Sequence, residues 1–202
     1  MFSLLRPTEE RIRAILARQQ AAKFSYPEVG ASRGQGPPGY ASLHNRVELG
    51  RGSEAFAQAR EAVRQWRMFA FAGVWLCWPN VTLEPGNVVA VLLRHFGFWS
   101  LNFCRIVYVI DEDGPIRRFG FAYGTLAEHA ESGEQRFIVE WNHASDMVSY
   151  EISSFSRPGG LITQVAYSIA RRLQRRFARN SLLAMAHAVQ ASEQIAKWGD
   201  QV

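Results

Sequence analysis

The chain has 202 residues, 48% of them hydrophobic, with a net charge of +5 and a pI near 9.6. That is enough to bury one substantial core with a short appendage, and two cysteines are too few for a disulfide scaffold. No apolar run reaches the ~18 residues needed to cross a bilayer, and Met1 to Leu5 is too short for a signal-peptide core. The expectation is a soluble, cytoplasmic protein.

In chain order, Pro7-Thr8-Glu9-Glu10 reads as a helix start, with Thr8 as cap, the acids favourably placed against the dipole, and Ile12, Ile15 and Leu16 as the apolar side. The helix should end near Ala22. Residues 24–42 hold four glycines and three prolines, a composition that wraps over a neighbour or stays mobile. His44 to Leu49 alternates like a strand. A second helix follows from Glu54 to about Arg67, capped by Ser53, with Phe56, Ala59, Val63 and Trp66 inward.

Phe71 to Trp78 is the next strand. Asn87–Arg94, Ser100–Ile110, Arg118–Thr125, Gln135–Trp141 and Met147–Phe155 then alternate with short polar breaks and read as an antiparallel meander. From Leu161 to about Ala196 the period becomes helical without a proline, introduced by Pro158-Gly159-Gly160. At about 100° per residue, Ile162, Ala166, Ile169, Leu173, Phe177, Ala184 and Ala188 form its apolar stripe. The five arginines Arg171, Arg172, Arg175, Arg176 and Arg179 spread over the other side. They read first as a solvated face, second as a phosphate-binding or anionic-membrane face. Without aromatic interleaving or a nucleic-acid motif, nucleic acid is not the expected partner.

The order strand, helix, six strands, long helix resembles the helix-grip architecture of START and Bet v 1-like domains. The expected fold is therefore α+β: a curved antiparallel sheet of about seven strands gripping the C-terminal helix, with an N-terminal helical extension. Residues 1–42 would be the helix and Gly/Pro-rich linker and 43–198 a helix-grip-like ligand-binding domain. More specifically, Gly97–Glu112 (GFWSLNFCRIVYVIDE), Arg117–His129, Gly133–Trp141 and Phe155–Gly159 are similar in order and content to the bacterial and plant family known as domain of unknown function nineteen-ninety. The similarity runs from about Arg46 to Met185 and implies no catalytic set. Departures are expected at Gly30–Gly39 and in the final dozen residues.

The strand Ser100–Ile110 places Asn102, Cys104, Ile106 and Tyr108 on one face and Leu101, Phe103, Arg105, Val107 and Val109 on the other. Both faces are mostly apolar, so both should be covered. The C-terminal helix would cover one, and the N-terminal helix with its linker, or the second copy of a homodimer, the other. Arg105 needs a partner in such a strand, and Glu140 is the candidate. The pair is structural in the favoured reading. In the functional one, Arg105 binds an acidic group and Glu140 acts as acid or base.

Tyr108, Tyr123 and Tyr150 come from three strands, either converging on a cavity wall or capping the core with their hydroxyls. Gly120, Ala122 and Gly124 leave one strand face bare. Asn180 and His187 break the helix stripe, and His187 and His95 are candidate proton-transfer groups whose structural readings are the commoner ones. Cys77 and Cys104 fall inside strands and read as reduced thiols. No phosphate loop, Ser-His-Asp order or metal-type Cys/His spacing occurs, so neither metal nor cofactor is expected.

Two functions remain open. The favoured one is binding of a hydrophobic, lipid-like or aromatic small molecule in a cavity lined by Trp99, Tyr108, Tyr123 and Phe137, with Asn102, Tyr150 and Asn180 nearby and Arg105 holding an acidic end. The alternative is a cofactor-free cyclase, dehydratase or hydrolase on the same cavity, using Glu140, His187 or Tyr123.

Overall fold

The structure is a computed structural model describing residues 2–78, 80–127, 129, 131–158 and 167–199, with side chains of the last helix over residues 168–191. Its elements are β1 (Phe2–Ser3), α1 (Glu9–Gln19), β2 (Ala41–Arg51), α2 (Gly52–Arg64), β3 (Val74–Cys77), β4 (Val88–His95), β5 (Phe98–Glu112), β6 (Ile116–Thr125), β7 (Glu131–Asn142), β8 (Met147–Pro158) and α3 (Tyr167–Gly199). Seven strands form one antiparallel sheet in the order β2-β8-β7-β6-β5-β4-β3, with β1 added beside β5. The fold is α+β in the helix-grip element order. The segment Gly159-Gly160 to Ala166, with Ile162, lies outside the described residues.

Both faces of the sheet carry buried apolar side chains. Its concave face packs Val89, Val91, Cys104, Ile106, Phe121, Phe137, Val139, Tyr150 and Ile152 against α2 and α3. On the convex face Ile12 and Ile15 of α1 lie on Val88, Ala90, Leu92, Leu101, Phe103 and Leu126. The N-terminal helix thus provides the second cover that β5 called for. Thr8 caps α1 as expected, its Oγ1 accepting from the Arg11 amide at 3.3 Å. Residues 24–40 then cross the convex face with only a short 3-10 turn, Ala31–Arg33, and one bridge, Phe24 to Leu126.

Three local expectations are corrected. Helix α2 starts at Gly52 with Arg51 in the cap position and no side-chain cap bond, so Ser53 lies inside it. The strand predicted over 71–78 shrinks to Val74–Cys77. Trp66 is buried, but it follows α2 at φ 56°, in the left-handed region that bulky side chains avoid. Packing holds it there. Its ring meets Phe121 edge-on at 4.8 Å, and its Nε1 donates to Val81 O at 3.0 Å.

The face of α3 is the largest correction. Its fully buried positions are Ala178, Ser181, Met185 and Val189. That stripe is rotated by roughly 100°, one residue's turn, from the predicted one. Ile169 is 52% exposed, while Leu173, Phe177, Ala184 and Ala188 are only half-buried along one flank. Small residues let the helix backbone approach the sheet, where Tyr150 fills the space and its hydroxyl lies 2.9 Å from Ser181 Oγ. A hydrophobicity count weights the large flanking side chains, such as Phe177 against Phe69 and Phe71, and misses the small ones in contact.

Candidate functional site

On the concave face apolar side chains give way to polar ones where β7 begins and α3 crosses. Ser100 and Asn102 come from β5, Tyr123 from β6, Glu131 and Gln135 from β7, Ser156 from β8 and Gln174 from α3. Register puts Asn102 opposite Val91 and Tyr123 opposite Gln135. Asn102 Nδ2 donates to Ser100 Oγ at 3.1 Å, and the Tyr123 hydroxyl donates to Gln135 Oε1 at 2.8 Å. Gln174 Nε2 donates to Glu131 Oε2 and, at 2.7 Å, to Ser156 Oγ, while Arg171 Nη1 donates to Gln174 Oε1 at 2.7 Å. The space between Glu131, Ser156, Ala170 and Gln174 is about 10 Å³, room for one water.

Burial sets the electrostatics. It pushes the Tyr123 phenol well above its usual range and the Glu131 carboxyl upward, the Gln174 hydrogen bond and Arg171 charge only partly countering it. His129, two residues before Glu131, is pushed down to about 4 by burial, and its Nδ1 faces the Glu131 amide at 3.0 Å. Because the folded chain raises Glu131 above its unfolded value of 4.5, the stability linked to its proton is present below 4.5 and lost as pH rises through the folded value. Glu131→Gln should therefore stabilise the protein in urea unfolding at about pH 8, and the gain should vanish below about pH 4.

Only part of the predicted site assembles here. Asn102, Tyr123, Phe137 and Tyr150 face the concave side, but Phe137 and Tyr150 are sealed in the core, Phe137 between Phe121 at 5.1 Å and Phe69 at 5.6 Å. Tyr108 lies on the opposite face. A bulge between Ile106 and Tyr108 reverses the alternation, so Ile106 meets Tyr123 but Tyr108 meets Ala122. The three tyrosines therefore do not converge.

Trp99 is also on the convex side, beside Trp75 at 5.2 Å. The predicted Arg105–Glu140 pair does not form. Arg105 instead donates to the α1 C-terminal carbonyls Gln19 O, Gln20 O and Ala22 O at 2.8–3.0 Å, where a cation satisfies both orphan acceptors and the helix dipole. Glu140 accepts from Arg118 at 2.7 Å and Arg46 at 2.9 Å. His187 is exposed and Asn180 half-buried, both far around α3 from the buried stripe. His95 ends β4, its pKa lowered by burial and by Arg176.

The convex face holds a second polar centre that sequence reasoning missed. Glu134, 3% exposed, accepts from Tyr26 Oη (2.7 Å), Gly30 N (2.8 Å), Ser32 N (3.0 Å) and Ser32 Oγ. Ser32 Oγ in turn lies 2.6 Å from the Tyr108 hydroxyl. The bare face at Gly124 admits Tyr26, since a Cβ there would run into the Tyr26 hydroxyl. Beside this latch an open depression of about 280 Å³ is lined by Ser32, Gln35, His44, Arg136, Ser153 and Phe155. Arg136 is already committed to Glu151 at 2.7 Å and to Ser153 at 3.1 Å. Nothing in the pattern GEQRF distinguishes Glu134 from a solvated strand acid, and the only sequence signal is the glycine facing it across β6–β7, since Gly124 pairs with Glu134.

The model of the family described as "Domain of unknown function (DUF1990)" matches residues 25–184. The chain belongs to the DUF1990 family. The match begins well before Arg46, so the DUF1990 span includes the glycine-proline segment and both ends of the Glu134 latch. Relatives from Dictyostelium discoideum, Deinococcus radiodurans and Arabidopsis thaliana carry the name UPF0548 protein. The one from Dictyostelium discoideum is 31% identical over 214 residues (96% of this chain, 99% of the relative), and that from Deinococcus radiodurans 34% over 194 residues (89% and 94%). Among solved structures, a hypothetical protein of Helicobacter pylori is similar with a TM-score of 0.47 and 13% identity, covering 84% of this chain and 95% of that one. Human STARD10 is similar at 0.46 and 9%, covering 98% and 84%.

Proposed function

We propose that the protein binds a small, largely apolar molecule between the sheet and the start of α3, with the molecule's polar end at Asn102, Tyr123–Gln135 and Glu131, and that the start of α3 moves off the sheet to admit it, since the space now there holds one water. The observation that carries this reading is the gathering of inward polar side chains from four strands and α3 at one end of an otherwise apolar concave face. A core has no need of such a group, and binding sites combine apolar walls with a few convergent polar atoms. With Arg105 on the convex side, no guanidinium from β5 meets an acidic end. Glu131 and Gln174 suit a ligand hydroxyl or carbonyl instead.

Native mass spectrometry of the undenatured protein should show a copurifying apolar compound. A fluorescent long-chain alcohol should bind saturably and more tightly than the matching carboxylic acid, and Asn102→Leu with Glu131→Leu should weaken the alcohol about tenfold. Absence of both the copurifying compound and saturable binding overturns the reading. Preference for the acid refutes the assignment of the polar end.

The buried Glu131, its carboxyl pushed upward by burial, favours one second reading, acid catalysis on the bound molecule. Loss of turnover of the copurified compound in Glu131→Gln, with binding kept, would decide for it.

A further inference from the structure

We propose that the β4–β5 turn, together with β1 and β3, is a docking surface for an anionic phospholipid bilayer. This inference does not depend on the ligand site above. The turn is Phe96-Gly97, both at positive φ (47° and 85°), the two-residue geometry that normally selects Asn or Gly. Phe96 holds it and is 80% exposed, so a strained backbone position carries a side chain that contributes nothing to the core. Around it Phe98 is 49% exposed, Phe2 59%, Leu4 71% and Leu5 80%.

Pairing brings these segments together. Phe2 lies opposite Ser100, Phe98 opposite His95, and Arg94 N donates to Gly73 O beside β3. Trp75 and Trp99 meet at 5.2 Å with their rings tilted by 41°, Arg6 lying over both rings and Arg94 over Trp99.

The occupant follows from shape and charge. A turn that projects a Phe outward offers no groove for a protein side chain, whereas a soft headgroup layer accepts a protruding ring, and tryptophans flanked by arginines suit that interface. Residues 2–7, 73–78 and 91–100 contain no carboxylate, and Arg176 of α3 stands close enough to lower His95, adding charge of the same sign. The patch therefore complements a negative surface.

Cosedimentation of the full chain should show binding to phosphatidylcholine vesicles containing about 30% phosphatidylserine, weaker binding without it, and release by about 0.5 M salt. Phe96→Asn with Phe98→Ser should lower the partition coefficient about tenfold. Asn suits the turn better than Phe, so the thermal midpoint of Phe96→Asn alone, equal to or above wild type, separates lost docking from lost folding. Arg6→Glu with Arg94→Glu should remove the dependence on phosphatidylserine. The proposal is overturned if the wild type ignores these vesicles, including the case in which the patch captures a protein instead. It is also overturned if the Phe96 and Phe98 variant binds like wild type, or if Arg172→Glu with Arg176→Glu abolishes binding while that variant does not.

Discussion

Glu134→Ala should lower the thermal unfolding midpoint by about 6–12 °C, the shift expected for a loss of about 3 kcal/mol in a domain of this size. Four donors converge on this carboxylate, two of them backbone amides of the linker, and all lie on or just under the convex surface. Each buried donor left unsatisfied costs roughly 1–3 kcal/mol, but the linker can lift and rehydrate some of them, which caps the loss well below the sum. Lifting has its own signature. Residues 30–40 of the variant should be cut by a protease much faster than those of the wild type, because the Glu134 contacts are the buried part of what holds the segment down, beside the Tyr40–Phe155 ring pair at 5.1 Å, Arg33 over the Tyr108 ring at 4.0 Å and the Arg136 bond to Arg33 O. Glu134→Gln keeps one acceptor oxygen and should fall between the two. A midpoint for Glu134→Ala within about 2 °C of wild type would mean that the latch contributes little to stability.

This latch marks where sequence reasoning stops. Strand positions and order were legible because alternation and turn residues are local, and so was the need to cover both faces of β5, since Leu101 and Phe103 are as apolar as Cys104 and Ile106. What failed was phase. One extra residue in the bulge at Ile106–Tyr108 moved Tyr108 to the other face, and a strict period of two cannot anticipate it. Partner choice failed for a different reason. Arg105 in an apolar strand needs acceptors, but carbonyls at a helix end satisfy it as well as a carboxylate does, and sequence does not show which end lies near. Glu131 and Glu134 alternate with glycine, glutamine and arginine as exposed strand acids do, and only the covering segments bury them.

The phase of α3 yields the other large expected effect. If the helix presents Ala178 and Ser181 to the sheet, Tyr150 is the side chain that fills the gap, and Tyr150→Ala should cost about 3–5 kcal/mol in urea unfolding. Tyr150→Phe should cost about 1 kcal/mol, because the ring stays and only the Ser181 hydroxyl, fully buried, loses its partner. His187→Ala, on the exposed face, should remain within about 0.5 kcal/mol of wild type. Were the helix turned to the face chosen by hydrophobicity alone, the order would invert: His187 and Asn180 would point inward, and Tyr150 would meet large side chains that tolerate its truncation. The ratio between the Tyr150→Ala and His187→Ala effects therefore reports the rotation of α3 directly. That rotation also decides the proposed ligand site, since it is the same turn that brings Gln174, rather than Leu173, to Glu131.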